Sequence, residues 1–192
     1  MKQPLRIAAI VLAAGQSKRM GLVNKLLMDI EGIPMVERVV SVIQAVGVEK
    51  TLVVTGYERD RIEQCLNGYD IEFVWNADYE AGMGTSLAAG AKALAQQRID
   101  GILVCLGDLP YLEVDTMRKA MDCFYEAKSD KIVVPVFQGK RGHPVIFPVR
   151  YRPDLEGLKG DAGARALIEQ EAGNLLELDL SDQGTIRDLD TM

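Results

Sequence analysis

A chain of 192 residues, 48% hydrophobic and 26% charged, has the length and apolar content to bury one ordinary globular core. Its formal net charge of −6 speaks against a general affinity for nucleic-acid backbones, so cations gathered in one loop point to a confined site for a small anion. No apolar run approaches the roughly 18 residues of a membrane span and no cleavable leader pattern is visible, so a soluble cytoplasmic protein with one domain over residues 1–192 is expected.

The first expected strand, residues 7–13, is an unbroken apolar run that opens into a loop over 14–25. Residues 34–46 have helical periodicity: Met35, Val36, Val39, Val40 and Ile43 share one face, and Pro34 suits a first turn. Strands are expected at 51–55 and 71–75, followed by a Gly-rich loop over 76–86 and an Ala/Leu-rich helix over 86–97. Residues 102–106 read as a strand, 107–112 as its loop, and 113–128 as a helix with Val114, Met117, Met121 and Phe124 on one side. Further strands are expected at 132–136, 145–147 and 175–178, with a helix start at 160–168 capped by Asp161. Cys65, Cys105 and Cys123 fall in these elements, form no CxxC, and are expected to be reduced.

Apolar strands alternating with helices predict an α/β fold whose mainly parallel sheet is covered on both faces. Ligands of such sheets bind beyond the carboxyl ends of the strands. That rule singles out the loops 14–25, 76–86 and 107–112, which are also the richest in Gly and polar groups.

The stretch VLAAGQSKRMGLVNKLL, residues 11–27, sets Gly15, Ser17, Lys18, Arg19, Gly21 and Lys25 directly after the first strand. Exposed N–H groups of a Gly-rich turn can face an anion closely. The spacing is not that of a Walker A loop, because Gly15 and Gly21 stand one residue too far apart and Leu22 follows; the dinucleotide fingerprint GxGxxG is absent as well. In LVCLGDLPYL, Asp108 follows the strand end at once, which suits Mg²⁺, a cation that takes one or two carboxylates and fills its shell with water and phosphate oxygens. The alternative is an Asp capping the next helix. His143, the only histidine, stands in RGHPVIF between a flexible segment and an apolar strand, a position that fits a cleft rim. It has no partner histidine for a metal. In NADYEAGMGTSLAAG, residues Gly82, Gly84, Thr85 and Ser86 can bring backbone close to a ligand. Asp188 and Asp190 in IRDLDTM read by default as a solvated acidic tail.

Taken in order, LAAGQSKRMG with its Lys, GMGTSLAAGA, LGDLP, RGHPV, KGDAGARAL and DLDT resemble the MobA-like nucleotidyltransferases over nearly the whole chain. Within that group the sequence is most similar to the molybdenum cofactor cytidylyltransferase branch, which includes the PucB-type proteins linked to xanthine dehydrogenase. The resemblance implies a three-layer α/β/α, Rossmann-like (GT-A-like) nucleotidyltransferase fold. It implies CMP transfer from CTP to the phosphate of molybdopterin, with release of pyrophosphate. On this likeness Leu12, Ala13, Ala14 and Gly15 contact base and ribose, and Ser17, Lys18 and Arg19 surround the triphosphate. Lys25 reaches the α-phosphate, so that Lys25, Arg19 and Asp108 form the catalytic set. Asp108 would hold Mg²⁺ with Asp190 as second ligand, and Gly82, Thr85, Ser86 and His143 would lie on the acceptor side.

The guanylyltransferase branch generally reads LAGG where this chain has Ala13-Ala14-Gly15. The extra methyl of Ala14 in a tight pocket disfavours a purine and points to CTP. A xanthine dehydrogenase-type molybdoenzyme or its chaperone would be the partner, with no nucleic acid and no membrane involved. A GTP-using or sugar/polyol-phosphate nucleotidyltransferase, and a non-catalytic carrier of the cofactor, remain open as alternatives.

Overall fold

Every residue of β1 (Ile7–Ala13) is buried, as a strand covered on both faces requires. Its side chains alternate between two cores. Ile7, Ala9, Val11 and Ala13 pack with α1 (Met35–Ala45), α2 (Arg59–Cys65) and α4 (Val114–Glu126). Ala8, Ile10 and Leu12 pack with α3 (Met83–Ala93), α5 (Arg152–Glu156) and α6 (Arg165–Gln170). The period of two in a strand thus becomes a three-layer α/β/α molecule. The computed structural model describes residues 5–16 and 23–187.

β1 sits inside the sheet, paired in parallel with β4 (Lys50–Thr55) and with β6 (Gly101–Leu106). β5 (Glu72–Trp75) continues in parallel beyond β4. On the other side β9 (Val145–Pro148) runs antiparallel to both β6 and β7 (Ile132–Phe137), and β10 (Leu175–Asp179) is parallel to β7. The short β8 (Lys140–Arg141) folds back on the end of β7, and β2 (Asp29–Ile30) pairs with β3 (Ile33–Pro34) in a separate ribbon. The order β10-β7-β9-β6-β1-β4-β5 shows the chain stepping from β1 outward to β4 and β5, then returning across β1 to β6. Between β1 and β6 lies the topological switch point, and the crevice beyond their carboxyl ends is where a doubly wound sheet takes a ligand. The residues at that crevice are Ala14, Gly15, Gly107 and Asp108.

Two expectations are corrected. The helix expected from residue 86 begins at Met83 and ends at Ala93, because Gly84, with no side chain, lets its N–H donate to Gly160 O at 2.7 Å. Asp161 caps no helix: α6 starts at Arg165 with Ala164 at its N-cap, and no side-chain cap bond is made. The reason is local. Gly160 (φ +68°) and Gly163 (φ +53°) hold left-handed backbone, which an α-helix cannot incorporate, so residues 161–164 form a turn. Among the described residues, no helix is long and apolar enough to cross a membrane.

Candidate active site

Two clefts meet above the sheet. The first, of about 360 Å³, opens at the switch point between the ends of β1 and β6. One of its walls comes from the 3-10 turn Lys25–Leu27. Asn24 is buried and caps this turn, its Oδ1 accepting from Leu26 N at 3.1 Å, while Leu26 enters the core. The turn packs against α1 and α2 and turns Lys25 inward. Lys25 Nζ stands 2.7 Å from Asp108 Oδ2, with only 15% and 17% of the two side chains exposed, so the pair is shielded from the screening that weakens surface ion pairs.

Asp108 owes its position to the residue before it. Gly107 N donates to Leu12 O at 3.0 Å, and a Cβ at 107 would stand 3.0 Å from that same oxygen. The second carboxylate oxygen, Asp108 Oδ1, is buried and has no hydrogen-bond partner among the described residues. A carboxylate with one oxygen on Lys25 and the other buried and unmatched fits a divalent cation, which can satisfy that second oxygen. Among the described residues, no group of three or more His, Cys, Asp or Glu gathers around a metal position.

Leu12, Ala14 and Gly15 line this cleft, whereas the Ala13 methyl is turned into the core beside α1 and α2. Ala14 O accepts from Tyr57 N at 3.2 Å. Its methyl packs against Gly56, where an added Cβ would lie 2.9 Å from it and 2.6 Å from the Cβ of Tyr79.

The expected acceptor-side residues divide. Gly82 and Ser86 line the first cleft, beside the residues expected for the nucleotide. Thr85 is turned into its own loop: Asn76 Nδ2 donates to Thr85 Oγ1 at 2.9 Å, and that hydroxyl lies 2.9 and 2.8 Å from the carbonyl oxygens of Asp78 and Gly82. Asn76 also donates to Ser86 Oγ at 3.0 Å and accepts from Asp78 N, so one buried amide shapes the whole loop. His143 lies in the second cleft.

That second cleft, of about 710 Å³, joins the first at Leu12 and Met83. Val104, Val134 and Phe147 form its floor, and Lys140, Arg141 and Arg165 stand at its rim. Arg141 is paired with Glu177 at 2.8 Å. His143 Nδ1 is 3.2 Å from Val104 O, and its backbone N–H donates to Thr185 O at 2.9 Å. Burial pushes the imidazole below its ordinary value, opposed by the Val104 carbonyl and the Asp108 carboxylate. In the neutral ring Nδ1–H donates to Val104, leaving Nε2 an acceptor.

The chain returns to this region before residue 188. Asp182 accepts from Gly184 N at 2.7 Å and from Thr116 Oγ1, and Arg187 stacks over Tyr111 with 4.2 Å to the ring centroid. Residue 187 thus lies by the loop that carries Asp108. Ser17, Lys18, Arg19, Asp188 and Asp190 lie outside the described residues. Two residues that shape or line the first cleft escaped sequence reasoning. Asn24 carried a signal, an N-cap residue just before Lys-Leu-Leu; Asp161, which lines the first cleft, was flagged only by the glycines on either side of it.

The family model for the MobA-like NTP transferase domain matches residues 9–175. The purine catabolism protein PucB of Bacillus subtilis is 30% identical, covering 100% of this chain and 94% of that protein. Nicotine blue oxidoreductase of Paenarthrobacter nicotinovorans is 29% identical over 97% of this chain and 93% of its own. The molybdenum cofactor cytidylyltransferase of Escherichia coli is 26% identical over 96% and 91%. Among solved structures, a nucleotidyl transferase from Methanothermobacter superposes with a TM-score of 0.79 at 25% identity, covering 96% of this chain and 92% of that one. With the crevice at its switch point and the matched family model over most of its length, the chain belongs to the MobA-like NTP transferases, and its chemistry is nucleotidyl transfer.

Proposed function

We propose that the protein is a Mg²⁺-dependent cytidylyltransferase, a single domain that transfers CMP from CTP to the terminal phosphate of molybdopterin. The observation that carries this reading is the Lys25–Asp108 pair at the switch point, with Asp108 Oδ1 buried and unmatched. An oxygen of the acceptor's phosphate attacks the α-phosphorus of CTP in line. The new P–O bond forms as the bond to the β-phosphate oxygen breaks, and its electron pair leaves with pyrophosphate. A phosphate monoester is already anionic at neutral pH, so no protein base has to remove a proton. Positioning and charge neutralisation then supply most of the catalysis.

Lys25 holds its ammonium toward the reacting phosphate, and Ser17, Lys18 and Arg19 attend the leaving phosphates. Asp108, with Asp190 as second ligand, would hold Mg²⁺, which when bound supplies neutralisation of charge shared between α-phosphate and pyrophosphate. The Ala14 methyl, fixed against Gly56, narrows the base pocket and favours a pyrimidine. The second cleft, with its apolar floor and a rim where Lys140, Arg141 and Arg165 stand with Glu169 and Glu177, offers a flat heterocycle bearing a phosphate both burial and a small excess of positive charge. The name of the Escherichia coli relative supports the molybdenum cofactor as substrate; a xanthine dehydrogenase-type enzyme or its chaperone as recipient, in the cytoplasm, completes the proposal. The loop after β1 lacks the dinucleotide fingerprint of an NAD-linked oxidoreductase.

The test is incubation with molybdopterin, Mg²⁺ and each nucleoside triphosphate in turn, scoring pyrophosphate and the dinucleotide formed. CTP is expected to give both. Preference for GTP, turnover of sugar or polyol phosphates instead, or binding of the cofactor with no pyrophosphate released would each contradict the reading.

A further inference from the structure

The motif KGDAGAR, expected to open a helix, instead spans both clefts. Asp161 lines the first cleft, while Ala162, Ala164 and Arg165 line the second. Its backbone is pressed against the loop before α3. Gly84 N donates to Gly160 O at 2.7 Å, and a Cβ at residue 82 would run into Asp161 Oδ1 and the Gly160 backbone. Left-handed glycines on either side, at 160 and 163, fix the direction in which Asp161 leaves the chain. The carboxylate caps no helix, and among the described residues it makes no hydrogen bond or ion pair.

The two walls of the first cleft differ in charge. Lys25 stands on the side of α1 and α2. Asp161 and Gly82 stand on the opposite side, with Met83 and Ser86 at the start of α3. A triphosphate settles against the ammonium and is repelled by a second carboxylate, so Asp161 is left facing whatever part of the nucleotide is uncharged and carries N–H or O–H donors. Those donors are the exocyclic amino group of the base and the ribose hydroxyls.

We propose that Asp161 is a nucleoside-recognition residue, its carboxylate accepting a hydrogen bond from a donor on the base or ribose of the bound nucleotide. The inference rests on the first cleft being the nucleotide site. It gives a motif outside the phosphate loop a part in substrate choice, and it couples the two clefts, since the same turn continues into the wall of the second.

The test is calorimetric binding of CTP, UTP, 2′-deoxy-CTP and 3′-deoxy-CTP, each with Mg²⁺, to wild type, Asp161→Ala and Asp161→Asn. Asp161 is exposed and has no partner among the described residues, so both variants are expected to unfold at the wild-type temperature. Asp161→Ala should weaken CTP about tenfold or more, the size of one hydrogen bond to a charged group, and Asp161→Asn less. The analogue lacking the matched donor should bind wild type as weakly as CTP binds Asp161→Ala, and should lose nothing more in that variant. The proposal is overturned if CTP affinity stays within about twofold of wild type, or if every analogue loses equally. Should wild type bind GTP and not CTP, the cytidylyl reading fails by itself, and the same series with GTP and its deoxy analogues still decides Asp161. If wild type binds no nucleotide, both fall together.

Discussion

The two clefts share Leu12 and Met83 yet are built on different principles. In the first, charge is fixed: an Asn-capped turn and two parallel strand ends bring Lys25 and Asp108 to 2.7 Å, both largely shielded from water. In the second, the floor is apolar and the charges ride on exposed rim side chains, such as Arg165, 83% exposed and 3.8 Å from Glu169. Under the proposed function, the difference separates two tasks. Moving a phosphoryl centre demands charge that needs no reorganisation when the bond breaks, whereas holding an acceptor demands area and shape with charge at the edge.

Lys25→Met should therefore lower the rate of pyrophosphate release by about 100-fold or more at saturating substrates. Arg141→Ala should act mainly on the KM of the acceptor, by up to about tenfold, because its guanidinium charge is exposed and already shared with Glu177. Steady-state kinetics of the two variants side by side decide the matter; a reversed order would break the contrast between the clefts.

The floor that both clefts share depends on how closely α3 approaches β1. Gly90 permits that approach, since a Cβ there would come within 2.7 Å of Ile10. Gly90→Ala should cost about 1–3 kcal/mol, read as a lower denaturant midpoint with unchanged slope.

The smallest effect concerns His143. Its imidazole lies below the ordinary value of 6.5 in the folded protein, so below that pH the unfolded chain takes up the proton first. Stability should accordingly fall as the pH drops from about 6.5 toward the folded value, and His143→Gln should flatten that part of the profile. An unchanged slope between pH 7 and 5 would mean that the ring is solvated in the cleft.

Much of this was readable in the sequence where one strong signal dominated. Unbroken apolar runs buried on both faces located β1, β4, β6 and β7 to within a residue, since few other structures absorb such runs. The direction of β9 was not readable, because an apolar run of four residues packs equally well either way; its pairing with β6 and β7 settles it as antiparallel. α2 escaped notice because Ile62 is its only buried residue, too little for a period. The loop residues were the hardest. Nothing in Gly-Met-Gly-Thr-Ser distinguishes Thr85, whose hydroxyl turns back to the Asp78 and Gly82 carbonyls, from Ser86, which lines the cleft, since Asn76 bonds both. The cap pattern at Asp161 fails because the left-handed glycine two residues later ends any helix begun there.

The most direct test of the central claim is Mg²⁺-dependent pyrophosphate release from CTP by Asp108→Asn, an isosteric change that keeps the site's volume and removes the carboxylate. A fall of at least about 100-fold, in a protein whose unfolding curve shows it still folded at the assay temperature, is the predicted result. Turnover at the wild-type rate, with the same Mg²⁺ dependence, would contradict it and remove Asp108 from the chemistry.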